Sequence, residues 1–175
     1  AQHIRDSVER IVGWGFDLLK IDFLFAGTFE GGRNEAMTGM QAYERAMALI
    51  RSAAGPDVVL LAVGAPPVAG FEHVDAWRIG PDIAVENFDA SWFFIPSEAR
   101  TIGARWPYCD AVLCDGDPPI LRTMTRNEVE VSLWTAALAG GAFFLSDDLR
   151  NLETERAQWI TPDMVHTALL GRPSL

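Results

Sequence analysis

The sequence predicts an α/β fold, with about five parallel strands and intervening helices arranged as part of a (β/α)8 TIM barrel. Three observations carry that reading. Stretches of helical periodicity alternate with short apolar runs along the 175 residues, and parallel neighbours need crossovers that cover the sheet. Polar clusters follow the apolar runs, as where chemistry gathers at the carboxyl ends of barrel strands. Finally, Gly27-Thr28-Phe29-Glu30-Gly31-Gly32 has neither a phosphate-loop ending nor dinucleotide spacing, so it reads as a flexible loop. An open doubly wound sheet also satisfies the alternation; the polar clusters favour the barrel.

The elements follow in order. Ile4, Val8, Ile11 and Val12 share one face at helical spacing, so His3 to Trp14 reads as an amphipathic helix stopped by Gly13 and Gly15. The run from Phe16 to Phe23 reads as a buried strand whose polar residues gather at its far end. A helix from Gly39 to Ala53 carries Met40, Tyr43, Met47 and Ile50, and Gly55-Pro56 ends it ahead of a strand from Val58 to Val63. Strands are expected at Ala76 to Ile79, Ala111 to Cys114 and Ala142 to Leu145. Helices are expected at Ser97 to Ala104, Asn127 to Ala139 and Pro162 to Leu170. With no fixed-period repeat, low-complexity tract or Ser/Pro-rich linker, residues 1–175 read as one domain.

Composition narrows the function classes. Forty-nine per cent hydrophobic residues suit a globular core, and a formal net charge of −10 repels phosphate backbones, which sets nucleic acid aside. Lys20, Asp22, Glu72 and Asp75 interrupt the longest apolar stretches, so no membrane span is expected. Cys109 and Cys114 lack further thiolate or imidazole partners at metal-ligand spacing and flank an apolar segment, so they read as semi-buried free thiols. His3, His73 and His166 are scattered and support neither a metal site nor a nucleophilic triad. Trp77, Trp92, Trp106 and Trp134 are expected in the core. No cofactor or metal is required. Ala1 and the lack of a leader-like segment read as a trimmed or incomplete N-terminus, with a cytoplasmic setting favoured.

The candidate chemistry rests on carboxylates. Lys20 and Asp22 are two apart on a strand, so both project from one face at its carboxyl end. A neighbouring lysine favours an ionised carboxylate and also donates to substrate hydroxyls. Arg78-Ile79-Gly80-Pro81-Asp82 ends a later strand, and its Gly-Pro step turns Asp82 toward a pocket. Strands two apart bring carboxyls to the roughly 5 to 5.5 Å separation of a retaining glycosidase pair.

The segments Trp14-Gly15-Phe16-Asp17-Leu18-Leu19-Lys20-Ile21-Asp22 and Val74-Asp75-Ala76-Trp77-Arg78-Ile79-Gly80-Pro81-Asp82 closely resemble stretches of the melibiase-type α-galactosidases. The first resembles their Lys-x-Asp nucleophile strand and the second their Arg-x-x-x-Asp segment. Gly64-Ala65-Pro66 and the run from Gly140 to Leu149 also look like that family, and Asp115-Gly116-Asp117-Pro118-Pro119 resembles its Asn-Asp-Pro-Asp turn loosely. The resemblance runs from Ile11 to about Glu155. It implies a retaining hydrolase of terminal α-galactosides with Asp22 as nucleophile and Asp82 as general acid/base. Lys20, Arg78, Asp117 and Asp147 become substrate contacts, and the substrate a small carbohydrate.

A full barrel takes about 250 residues and eight strands. This chain therefore reads as the C-terminal portion of a glycoside hydrolase barrel, its remaining wall supplied by the rest of a longer chain or by a second copy. Two other readings stand beside it: a non-catalytic carbohydrate-binding or assembly fragment, and a barrel aldolase using Lys20 as Schiff-base nucleophile.

Overall fold

The computed structural model describes residues 1–66, 69–84 and 92–170. The chain is α/β, with helices between five short strands among the described residues, and it divides into two compact units, Ala1–Trp77 and Arg78–Leu175. The division falls between adjacent residues of a strand, where no linker composition marks it.

In the first unit, α1 (Gln2–Val12) leads to β1 (Leu18–Ile21), α2 (Gly39–Ala54), β2 (Val59–Ala62) and the start of β3 (Ala76–Arg78). The strands are parallel and follow chain order: β1 pairs with β2 from Leu18↔Val59 to Ile21↔Ala62, and β2 with β3 at Leu61↔Ala76 and Ala62↔Trp77. Thr38 and Gln41 close a capping box on α2, and Gly55, at φ 78°, ends it. Tyr43, Met47, Ile50 and Ala54 recur at helical spacing on α2 and form a core with Val58 and Leu60, against which Ile4, Val8 and Val12 of α1 pack. Below the strands, the Arg51 guanidinium bonds the Asp75 carboxylate and donates to the carbonyls of Gly55 and Val58 at 3.0 and 2.8 Å. Asp75 in turn accepts from the Leu60 N–H at 2.8 Å, fixing the entry to β3 against β2.

The second unit begins at Arg78 and contains α3 (Ile95–Arg105), β4 (Leu113–Asp115), α4 (Arg126–Ala139), β5 (Gly141–Ala142), α5 (Thr154–Ala157) and α6 (Pro162–Leu170). β4 and β5 are parallel, with Cys114↔Gly141 and Asp115↔Ala142 in register. The Ile79 N–H, one residue past β3, donates to the Asp115 carbonyl at 2.8 Å. A Thr125/Glu128 capping box starts α4. The core gathers Ile83, Ile95, Leu121, Val129, Leu133 and Met164. A Cβ on Gly80 would lie 2.1 Å from the Gly116 carbonyl oxygen, so only glycine permits these two loops to approach.

The α/β class, the parallel strands and the five longest elements, all α-helices, agree with the sequence reading, while the strands are shorter than expected. β1 stops at Ile21 because Phe23 adopts a left-handed φ of 57° and a 3-10 helix, Leu24–Thr28, follows. Two expectations need correction. Cys109 and Cys114 form a disulfide rather than two free thiols: a 3-10 helix, Trp106–Asp110, turns the chain so that their Cα atoms lie 5.3 Å apart. Of the four tryptophans assigned to the core only Trp77 is buried; Trp92, Trp106 and Trp134 are exposed, and Trp159 is the additional buried one.

Candidate active site

β1 places its polar residues as alternation requires. Leu19 and Ile21 turn toward the interior, while Leu18 and Lys20 are exposed, as is Asp22 just past the strand. Asp22 accepts a hydrogen bond at 2.6 Å from the N–H of Phe23. A bulky residue with positive φ is an outlier, and this one turns the backbone immediately behind the carboxylate. The turn is tied across to the loop after β2, where the Phe25 N–H donates to the Gly64 carbonyl at 2.7 Å. Gly64 itself has φ 58°, and a Cβ there would press on Phe25 at 3.2 Å and approach Asp22 Oδ1 at 3.6 Å. Lys20 and Asp22 border a cavity of about 580 Å³ whose other walls include Ser7, Ile11, Phe16 and Leu18.

The second unit contains a dense ionic cluster at the junction of β3 and β4. Arg78 is buried, and its guanidinium is shared three ways: Nε donates to Asp115 Oδ2 at 2.9 Å, Nη1 to Asp82 Oδ1 at 3.1 Å, and Nη2 lies 2.5 Å from Asp117 Oδ1. Burial works against its charge, but Asp115, Asp117 and Asp82 outweigh that and hold the guanidinium above its ordinary proton affinity. Asp115 is as buried as the arginine. Asp82 differs, its side chain remaining 65% exposed. A buried cation thus holds an open carboxylate by one oxygen at the end of β3.

Asp117 is 12% exposed, and its other oxygen accepts from the Ile83 N–H at 2.7 Å. Its backbone φ of 102° is again left-handed for a residue with a side chain. Burial pushes its carboxyl up to about 6, with Arg78 and the Ile83 hydrogen bond pulling the other way. Asp147 serves the fold more than a ligand: it is 1% exposed, and its oxygens accept from the N–H groups of Leu121 and Arg122 at 2.7 and 3.1 Å. It therefore pins the chain leading into α4.

The structure accordingly brings Arg78, Asp82 and Asp117 together in the second unit, leaves Lys20 and Asp22 exposed beside one cavity of the first, and gives Asp147 the hydrogen bonds that anchor a loop. Sequence reasoning gave too little to Asp115, the most deeply buried partner of Arg78, and missed Glu98 on α3. Glu98 is fully buried, and burial, reinforced by the charge of Asp117, pushes its carboxyl up to about 8. Its signal was present in the spacing Ile95, Glu98, Ile102, which puts a carboxylate on the apolar stripe of a helix.

Among the described residues no group of three or more His, Cys, Asp or Glu is arranged to hold a metal ion, and no helix is long and apolar enough to cross a membrane. No family model matches the chain.

Proposed function

We propose that this chain carries the later part of a retaining glycoside hydrolase barrel acting on terminal α-galactosides, with Asp22 as nucleophile and Asp82 as general acid/base. The observation that carries the reading is the Arg78–Asp82 pair: an exposed carboxyl at the end of a parallel strand, oriented by a buried guanidinium at 3.1 Å. Asp22, exposed at the carboxyl end of β1, supports it.

In the first step an Asp22 oxygen forms a bond to the anomeric carbon as the glycosidic C–O bond breaks, and the leaving oxygen takes the proton of Asp82. In the second, Asp82 takes a proton from water, whose oxygen displaces Asp22 and releases the sugar with retained configuration. Lys20, beside Asp22, donates to substrate hydroxyls. Arg78 acts by orienting Asp82.

The test is hydrolysis of an aryl α-galactoside by the purified protein, with the first-formed anomer read by NMR. Retention is expected, and Asp82→Ala should lower the rate by about 10² to 10⁴-fold. Asp22→Ala should abolish turnover and recover it with azide as an external nucleophile. An inverted product, or an Asp22→Ala rate equal to wild type, sinks the assignment.

A second reading, a carbohydrate-binding or assembly fragment without a complete site, is favoured by the exposed apolar residues Phe16, just before β1, and Leu18, on it, which border the same cavity as Lys20. It predicts sugar binding without hydrolysis, so turnover by the purified protein excludes it.

A further inference from the structure

Ile95 and Ile102 carry Glu98 into the interior on the apolar face of α3. Neither of its carboxyl oxygens has a hydrogen-bond partner. A Cβ built on Gly116 would lie 3.7 Å from Glu98 Oε1, which puts the carboxyl under the turn joining Asp115 to Asp117. The charged groups facing it are Arg78 at the end of β3, Asp115 on β4 and Asp117 in the loop beyond. From α4 the residue against that turn is the apolar Ala136. Arg105, on α3 itself, donates to the Ile79 carbonyl at 3.0 Å. One guanidinium therefore serves Asp82, Asp115 and Asp117 while a fourth carboxyl sits beneath them without a donor. A carboxylate buried without donors is far costlier than the neutral acid.

We propose that Glu98 is a positioning residue for Asp82: as a neutral carboxylic acid beneath the Asp115-Gly116-Asp117 turn it leaves Arg78 committed to Asp82, and on ionising it competes for that guanidinium and loosens the pair. The inference rests on the reading of Asp82 as the acid/base. Its physical basis is Coulombic: a fourth negative charge buried beside Asp117 and Asp115 draws on the guanidinium that those groups share. The burial that raises the Glu98 carboxyl to about 8 places the change at mildly alkaline pH.

Carboxyl carbon NMR of ¹³C-labelled wild-type protein tests this directly. The Glu98 signal should titrate near pH 8, and the Asp82 signal should show an inflection at the same pH that disappears in Glu98→Gln. A Glu98 signal titrating in the ordinary carboxylate range, about pH 4 to 5, overturns the inference, and so does an Asp82 signal that ignores the Glu98 transition. The wild-type titration decides the matter even if Glu98→Gln fails to fold. With an aryl α-galactoside as substrate, Glu98→Gln should move the alkaline limb of kcat/KM upward, and an unmoved limb removes the link to turnover. If no hydrolysis occurs, the glycosidase reading falls, while the two NMR signals still decide whether Glu98 positions Asp82.

Discussion

Arg78 shows how one residue type in one place organises a site. Lysine has a single point of charge, whereas the guanidinium fork serves Asp82, Asp115 and Asp117 from three nitrogens. Removing it leaves Asp115 and Asp117 buried without their cation, so Arg78→Ala should destabilise the protein by about 3 to 5 kcal/mol. Urea unfolding measures this, and a loss under about 1 kcal/mol would mean the cluster contributes no more than a surface pair. The same cluster sets a pH dependence. Asp117 and Glu98 have folded-state proton affinities raised to about 6 and about 8, so the folded form keeps protons that the unfolded form has released. Their contribution is fully present below the ordinary carboxylate range and is lost as pH rises through about 6 and then 8. The thermal midpoint should therefore be lower at mildly alkaline pH than at mildly acid pH, and a midpoint that stays level or climbs contradicts the assignment. Arg78 and Asp82 could be picked out from sequence because they lie four positions apart across a Gly-Pro turn at a strand end. The spacing of Ile95, Glu98 and Ile102 puts Glu98 on the apolar stripe of α3, but only the folded chain shows how completely it is enclosed.

At the scale of elements, the strands are set by pairing rather than by apolar run length. Phe16 to Phe23 is one continuous strand-like run, yet only Leu18–Ile21 forms β1, in register with Val59 to Ala62 and ended by the left-handed Phe23. The left-handed turn at Phe23 then leaves Asp22 outside the ladder, its carboxylate held by the adjacent N–H. The 3-10 helix Trp106–Asp110 has a comparable effect before β4, since it folds Cys109 back onto Cys114. Cross-linking residues five apart in sequence closes a short loop, and the chain-entropy relation assigns such a loop about 2 kcal/mol. Reduction, or the Cys109→Ser/Cys114→Ser double variant, should lower unfolding stability by about that amount in urea. Equal midpoints with and without reductant would show that the 3-10 turn is held without the bridge. Apolar neighbours suggested free thiols, and nothing local to residues 109–114 reveals a turn that depends on where β4 docks.

Over the whole molecule, the first unit displays aromatic and aliphatic side chains that an ordinary domain would cover. Phe16 and Leu18 are 54% and 40% exposed and border the same cavity as Lys20 and Asp22, and Phe23 and Phe29 are more exposed still. Apolar surface of this kind drives association. The purified protein should self-associate in the low micromolar range or above, and Phe16→Ser/Leu18→Ser should shift it toward monomer in light scattering. A wild-type protein that stays monomeric at high concentration would show that this face is tolerated in water.

The alternation of helix and strand, the parallel order and the strand-end location of Lys20, Asp22, Arg78 and Asp82 follow from local periodicity and from turn residues, which act over a few positions and are written in the chain itself. Burial is different, because it depends on which distant segment comes to lie against a side chain. That is why the sharing of Arg78 among three aspartates, the anchoring role of Asp147, the Cys109–Cys114 bridge and the enclosure of Glu98 emerged only with the folded chain. Each arises from contacts between segments that hydrophobic pattern places in separate elements and that packing alone brings within hydrogen-bonding distance or excludes from water.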